Sequence, residues 1–226
     1  MARWAAALPE RTKRLRTVHQ YQNVLSCYRD VILRDMEENG LSYHHRAEAA
    51  SAILRTLFPT CRPQVVTILN PLQADPLTDF VETDGHGWVV TSHLRADSYV
   101  HELVHVCLES VLREWIPHIS EHLHLLDAVY QPMVRLSYAW DRSASSWVNV
   151  FSETLVRTLT LWVLEGQVPD TLQVQLEAIV REGFLYARPI ADTLASMNGR
   201  QPLSEQWLER CLHACHDAAG VDEGKG

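Results

Sequence analysis

Long apolar stretches are missing from this chain of 226 residues. The longest, LTLWVLEG at Leu159–Gly166, is too short and too polar at its end to cross a bilayer, so no membrane partner is expected. The opening stretch MARWAAALPERTKRLR has an apolar patch, but Pro9 and the charges after it interrupt any signal-peptide core. Lysine is almost absent, at Lys13 and Lys225 alone, and the arginines are scattered, which argues against a nucleic-acid surface. Five cysteines are an odd number, and Cys107 sits within an apolar helix where a small hydrophobe fits, so no disulfide framework is implied. Reduced thiols and a cytoplasmic location are expected. Internal repeats and low-complexity segments are also lacking.

What is present is an ordinary globular composition, 46% hydrophobic and 21% charged, with a net charge of −8 and a pI of about 5.8. That length and apolar content suffice for one sizeable core. Helical periodicity runs from Glu10 to about Asn39 through Leu15, Val18, Tyr21, Leu25, Tyr28, Ile32 and Met36, and Gly40 reads as its stop. A second helix is expected at Arg46–Leu57, ended by Pro59 and Pro63. The β-branched run QVVTIL (Gln64–Leu69), the short DFVE, and GWVVTS (Gly87–Ser92) read as strands. Helices then follow from Asp97 or Ser98, as cap, to about Trp115, and at Ser145–Gly166, Asp170–Gly183, Phe184–Asn198 and Pro202–Ala218. The His-rich stretch Ile116–Trp140 is only partly helical in pattern. The order predicts a mostly helical α+β fold with a small mixed sheet packed on the helix after GWVVTS. A single domain is expected, with N-terminal helices over 1–60, the sheet and the following helix over 61–115, a helical part over 116–218 and a flexible tail over 219–226.

The chemistry concentrates in SYVHELVHVCLE, Ser98–Glu109. Residues four apart share a helix face, so His101 and His105 can present two imidazoles to one ion. Neutral imidazole suits zinc, and two histidines leave room for a third ligand and a water. Glu102 is rotated about 100° from His101, which sets a carboxylate beside the ion, where it can take a proton from a water that zinc has acidified. With 12 histidines in the chain, a random arrangement yields about 0.05 matches to His-Glu-x-x-His. The uncharged flanks Tyr99, Val100, Leu103, Val104, Val106 and Cys107 strengthen the reading. The alternative, a buried helix with hydrogen-bonded histidines, requires a partner for each of three polar side chains.

In these residues the sequence resembles the HExxH zinc metallopeptidases, the zincins. The order strand, short connection, motif helix in GWVVTSHLRADSYVHELVH is similar to theirs. The resemblance implies that the strand lines the cleft and that its free edge pairs with an extended peptide. The metzincin extension is absent, because Leu108 and Val111 stand where its glycine and third histidine would be. Glu109 shares the helix face but lies two turns past His101, too far to reach one ion with both histidines. The third ligand must then come from another element. Glu153 is favoured, an anionic residue amid Trp147, Val148, Val150, Phe151, Leu155, Val156, Leu159 and Trp162, which needs a strong partner. SETLVRTL is also similar to the glutamate helix of gluzincins. Glu121, His118 and His122 are the alternatives, and a plain Glu153–Arg157 pair is the bland reading. Gluzincins often carry an acidic residue where this chain has Arg157, so the orienting partner of the histidines is open. The resemblance further implies an oxyanion donor, for which EGFLYARPIAD offers Tyr186, against a core tyrosine as the simpler reading. CLHACH (Cys211–His216) reads as an amphipathic helix, and His118, His122 and His124 as solvated surface.

The expected function is that of a zinc-dependent metallopeptidase holding one zinc ion on His101, His105 and Glu153, with Glu102 as base and a peptide or protein as substrate. Two alternatives stand beside it: a zincin-fold regulatory or interaction protein with a structural or self-blocked zinc site, and a zinc hydrolase of a non-peptide bond.

Overall fold

A single helix, α1 (Val18–Leu57), spans 40 residues, roughly 60 Å, where two shorter helices were expected. The computed structural model describes residues 18–61, 64–70, 78–83, 86–118, 125, 147–165, 169–197 and 201–222. Gly40 therefore does not stop the helix. Glycine costs about 1 kcal/mol relative to alanine in a helix interior, and tertiary anchors on both sides of it outweigh that. Before it, the Asp35 carboxylate accepts the Leu94 backbone N–H at 2.6 Å and the Asn39 amide at 2.7 Å. After it, the Tyr43 hydroxyl bonds the Thr67 hydroxyl on the first strand. The same anchoring explains why Asp35 is buried while Met36, expected on the apolar face, is exposed. Farther on, Ala47, Ala50, Leu54, Leu57 and Phe58 recur at helical spacing and enter the core.

Three strands follow: β1 (Gln64–Leu69), β2 (Thr78–Thr83) and β3 (His86–Thr91). They form one sheet in the order β1-β3-β2, β3 running parallel to β1 and antiparallel to β2. Val89 and Thr91 turn inward and Trp88 outward, the alternation a half-buried sheet requires. Because β3 is the central strand, both its edges are occupied. The expectation that the GWVVTS strand offers a free edge to a peptide is thus corrected: strand order depends on pairing partners, which local sequence does not encode.

From β3 the chain enters α2 (Ala96–Trp115), which packs on β3, β1, α1 and the next helix. Its cap is Arg95, with no side-chain cap bond, and not Asp97 or Ser98. Asp97 lies instead in the first turn, paired with Arg95 at 2.6 Å, where a carboxylate complements the helix dipole. Among the described residues the remaining helices are α3 (Trp147–Glu165), α4 (Pro169–Arg181), α5 (Ala187–Ser196) and α6 (Glu205–Asp222). Between α4 and α5, Gly183 adopts φ 117, Gly183 N–H bonds the Val180 carbonyl, and Phe184 N–H bonds the Ile179 carbonyl. These two bonds around a left-handed glycine form a Schellman end, which is why the following helix starts at Ala187 and not at Phe184. Helix α6 continues past the expected start of a frayed tail, with Ala219 still buried in the core. The mostly helical α+β architecture with a small mixed sheet on α2 is as expected. Most of Ile116–Trp140 lies outside the described residues.

A continuous α1 makes a specific demand on Gly40. A Cβ placed there would meet only Leu94 Cδ1, at 4.0 Å, an ordinary contact. Gly40→Ala is expected to raise stability by about 0.5–1 kcal/mol in urea unfolding. A loss of similar size would mean that Gly40 ends a helix in the left-handed region.

Candidate metal centre

Helix α2 turns one apolar face inward through Val100, Leu103, Val104, Cys107, Leu108 and Val111, all buried. That spacing, three and four residues apart, rotates His101, Glu102 and His105 to the half-buried flank. Helix α3 packs along α2 and buries Val150, Phe151, Leu155 and Leu159. Its threonines Thr154, Thr158 and Thr160 are buried too, each returning its hydroxyl to the carbonyl four residues back. Glu153 and Arg157 are left on the flank that meets the histidines.

There the side chains converge. Glu153 Oε2 lies 3.2 Å from His105 Nε2, and Glu153 Oε1 lies 3.8 Å from His101 Nε2. The two imidazole rings are 4.8 Å apart, edge to face. One ligand atom from each of His101, His105 and Glu153 falls within 4.8 Å of the others, close enough to bind one metal ion. This is the one group of three such residues found among the described residues. Glu153 also accepts a hydrogen bond from Arg157 Nε at 2.7 Å, so the i,i+4 pair considered as the bland reading forms together with the histidine contacts.

The electrostatics follow from burial and neighbours. Burial holds the His101 imidazole down, to about 4, because Glu153 only partly compensates. For His105 burial acts in the same direction, but hydrogen bonds to Glu109 and Glu153 outweigh it and carry the ring up to about 9. Burial raises the Glu153 carboxyl, yet the His105 hydrogen bond and the charges of His101 and Arg157 bring it down to about 2. Glu102 has no such bonding cations in reach, and burial pushes it up to about 7 despite the pull of His105. A carboxyl poised near neutrality can both take and return a proton. His101, Glu102 and Arg157 line an open cleft of about 440 Å³ together with Thr160, Leu161 and Ile179.

The other expected positions fall elsewhere. Tyr186 is 5% exposed, sits in the core beside α5, and is not among the residues lining the cleft. His118 is exposed and pairs with Glu205 at 2.7 Å. Glu121, His122 and His124 lie outside the described residues. None of the five cysteines, all among the described residues, forms a disulfide. Cys107 points into the core, where a hydrogen bond with Cys61 and burial keep its thiol protonated. Cys211 and Cys215 are fully buried, and burial raises both thiols. Among the described residues no helix is long and apolar enough to cross a membrane.

Two contributors were not foreseen. Glu109 Oε1 lies 3.5 Å from His105 Nδ1, the ring nitrogen opposite the one that faces Glu153. The His105–Glu109 spacing of four held that signal. Glu182 reaches Arg157 Nη1 at 3.1 Å from the turn that follows α4, and no local pattern could have announced it. Comparison with known proteins finds no matching family model and no similar curated protein or solved structure.

One consequence is measurable without any metal. The folded pKa of His105 lies above its usual 6.5, so its contribution to stability is complete below pH 6.5 and is lost as pH rises through about 9. In a chelator, stability is expected to fall between pH 7 and 9 by about 1 kcal/mol per unit at most. His105→Gln should flatten that limb in urea titrations; an unchanged slope would show that His105 is not the group responsible.

Proposed function

We propose that the chain is a zinc-dependent metallopeptidase of the HExxH type. The observation that carries this reading is the meeting of His101, His105 and Glu153 from two helices, beside Glu102 on an open cleft. Two imidazoles and one carboxylate are the donor set of a catalytic zinc site, which leaves a position for water or substrate. The fit extends outward, since Glu109 at His105 Nδ1 leaves Nε2 for the ion. The resemblance of SYVHELVH and SETLVRTL to gluzincins supports the same assignment.

A zinc ion held there would supply Lewis acidity, making water a better nucleophile and polarising a carbonyl. His101 and His105 would bind through Nε2 and Glu153 through a carboxylate oxygen. Glu102 would accept a proton from the attacking water and return it to the leaving amine, a double role that a carboxyl near pH 7 suits. The cleft beside Glu102 would hold the substrate and limit its water.

A zinc hydrolase of a non-peptide bond is the second reading. It is favoured by the central position of β3, which removes the strand edge on which an extended peptide was expected to pair.

Elemental analysis of the purified chain should return one zinc per molecule, and Glu153→Ala should lose it. Glu102→Gln should keep the zinc and lower cleavage of a peptide library by about 10²–10⁴-fold. Absence of stoichiometric zinc in the wild type would remove the metal reading. Zinc without peptide cleavage, together with hydrolysis of ester or amide panels, would favour the second.

A further inference from the structure

Arg157 stands four residues after Glu153, at the foot of the metal cluster. Its guanidinium is held by Glu153, Glu182 and Phe184. Nε donates to Glu153 Oε1 at 2.7 Å, Nη1 donates to Glu182 Oε2 at 3.1 Å, and Cζ lies 4.4 Å from the centre of the Phe184 ring. Phe184 is 1% exposed and so is itself fixed by packing. Glu182 and Phe184 flank Gly183, whose φ of 117 lets the chain reverse at the end of α4. The Schellman turn thus brings a carboxylate and an aromatic face to one cation on a neighbouring helix.

We propose that Arg157 is a positioning residue for the metal centre: it pins one oxygen of Glu153 and leaves the other for the ion, with the Gly183 turn holding Arg157 in place. The reasoning is geometric. A carboxylate has two oxygens that can exchange by rotation, and Oε2 is the one nearest His105, at 3.2 Å. A rigid, planar donor at Oε1 fixes the rotation, which a flexible point charge would do less well. Remote partners of ligands act on affinity in this way.

This inference rests on the metal reading above, and a simple alternative has the opposite sign. If Arg157 were only a positive charge near a cation site, its removal would leave zinc affinity unchanged or raise it. If it positions Glu153, its removal weakens zinc. The test measures zinc affinity by competition with a chromophoric chelator for wild type, Arg157→Met, Arg157→Lys and Glu182→Gln, with circular dichroism as a check on folding. Arg157→Met is expected to weaken zinc by about 10–100-fold, with Arg157→Lys recovering part of the loss and Glu182→Gln showing a smaller loss. Cobalt(II) substituted into Arg157→Met should give a visible absorption spectrum altered from that of wild type. Equal or tighter zinc binding in Arg157→Met would overturn the proposal while leaving the metal site intact. If Arg157→Met does not fold, Arg157→Lys and Glu182→Gln decide, and wild-type affinity in both overturns it. A wild type that takes up no zinc would overturn both readings at once.

Discussion

A half-buried carboxylate between two imidazoles and a guanidinium is the interaction around which α2 and α3 are arranged. Taking an anion out of water is costly unless several partners replace the lost hydration. Glu153 has them in His105, Arg157 and His101, at 3.2, 2.7 and 3.8 Å. Removal of any one would leave a charge exposed to a poorly solvating interface. In the metal-free chain a proton on His105 completes the balance, with Glu109 on one ring nitrogen and Glu153 on the other. Any cation that binds at Nε2 must displace that proton, so proton and metal compete for one place.

The scaffold keeps those partners still. Both elements that carry the cluster are helices that sink a full apolar face into the core, with Val100, Val104 and Leu108 on α2 and Leu155 and Leu159 on α3 fully buried. A site on such elements is held more precisely than one on loops. The inward threonines of α3 do not compete for Glu153, because each hydroxyl already bonds the backbone four residues back.

Much of this was legible in the sequence where the signal is local. The 3.6-residue spacing along α2 and α3, the β-branched run QVVTIL and the histidines four apart all describe neighbours along one element, and these elements stand where expected. The misreadings share a different cause. Gly40 reads as a stop because glycine is a local punctuator, yet the bonds that anchor α1 join Asp35 to Leu94 and Tyr43 to Thr67, 59 and 24 residues apart. The place of β3 in the sheet and the reach of Glu182 to Arg157 are likewise long-range outcomes, while Tyr186 lies in the core, the simpler of its two readings. Glu153 could be singled out for a physical reason, since a lone anion in an apolar helix calls for a partner, but the identity of all its partners awaited the packing of α3 on α2.

The sheet order also changes how the cleft is reached. With β3 hydrogen-bonded on both edges, its backbone amides are committed to β1 and β2 and cannot orient a third chain. The cleft beside His101 and Glu102 is walled instead by Thr160 and Leu161 of α3, Ile179 of α4, and Arg95, Asp97 and Ser98 at the start of α2. That wall is mixed, with Leu161 and Ile179 apolar and Arg95, Asp97, Arg157 and Glu182 charged. Helix interiors spend their backbone donors internally, so such a wall recognises side chains and shape more than main-chain hydrogen bonds. The cleft therefore presents side-chain charge of both signs beside a small apolar patch, and not the extended register that a strand edge would impose.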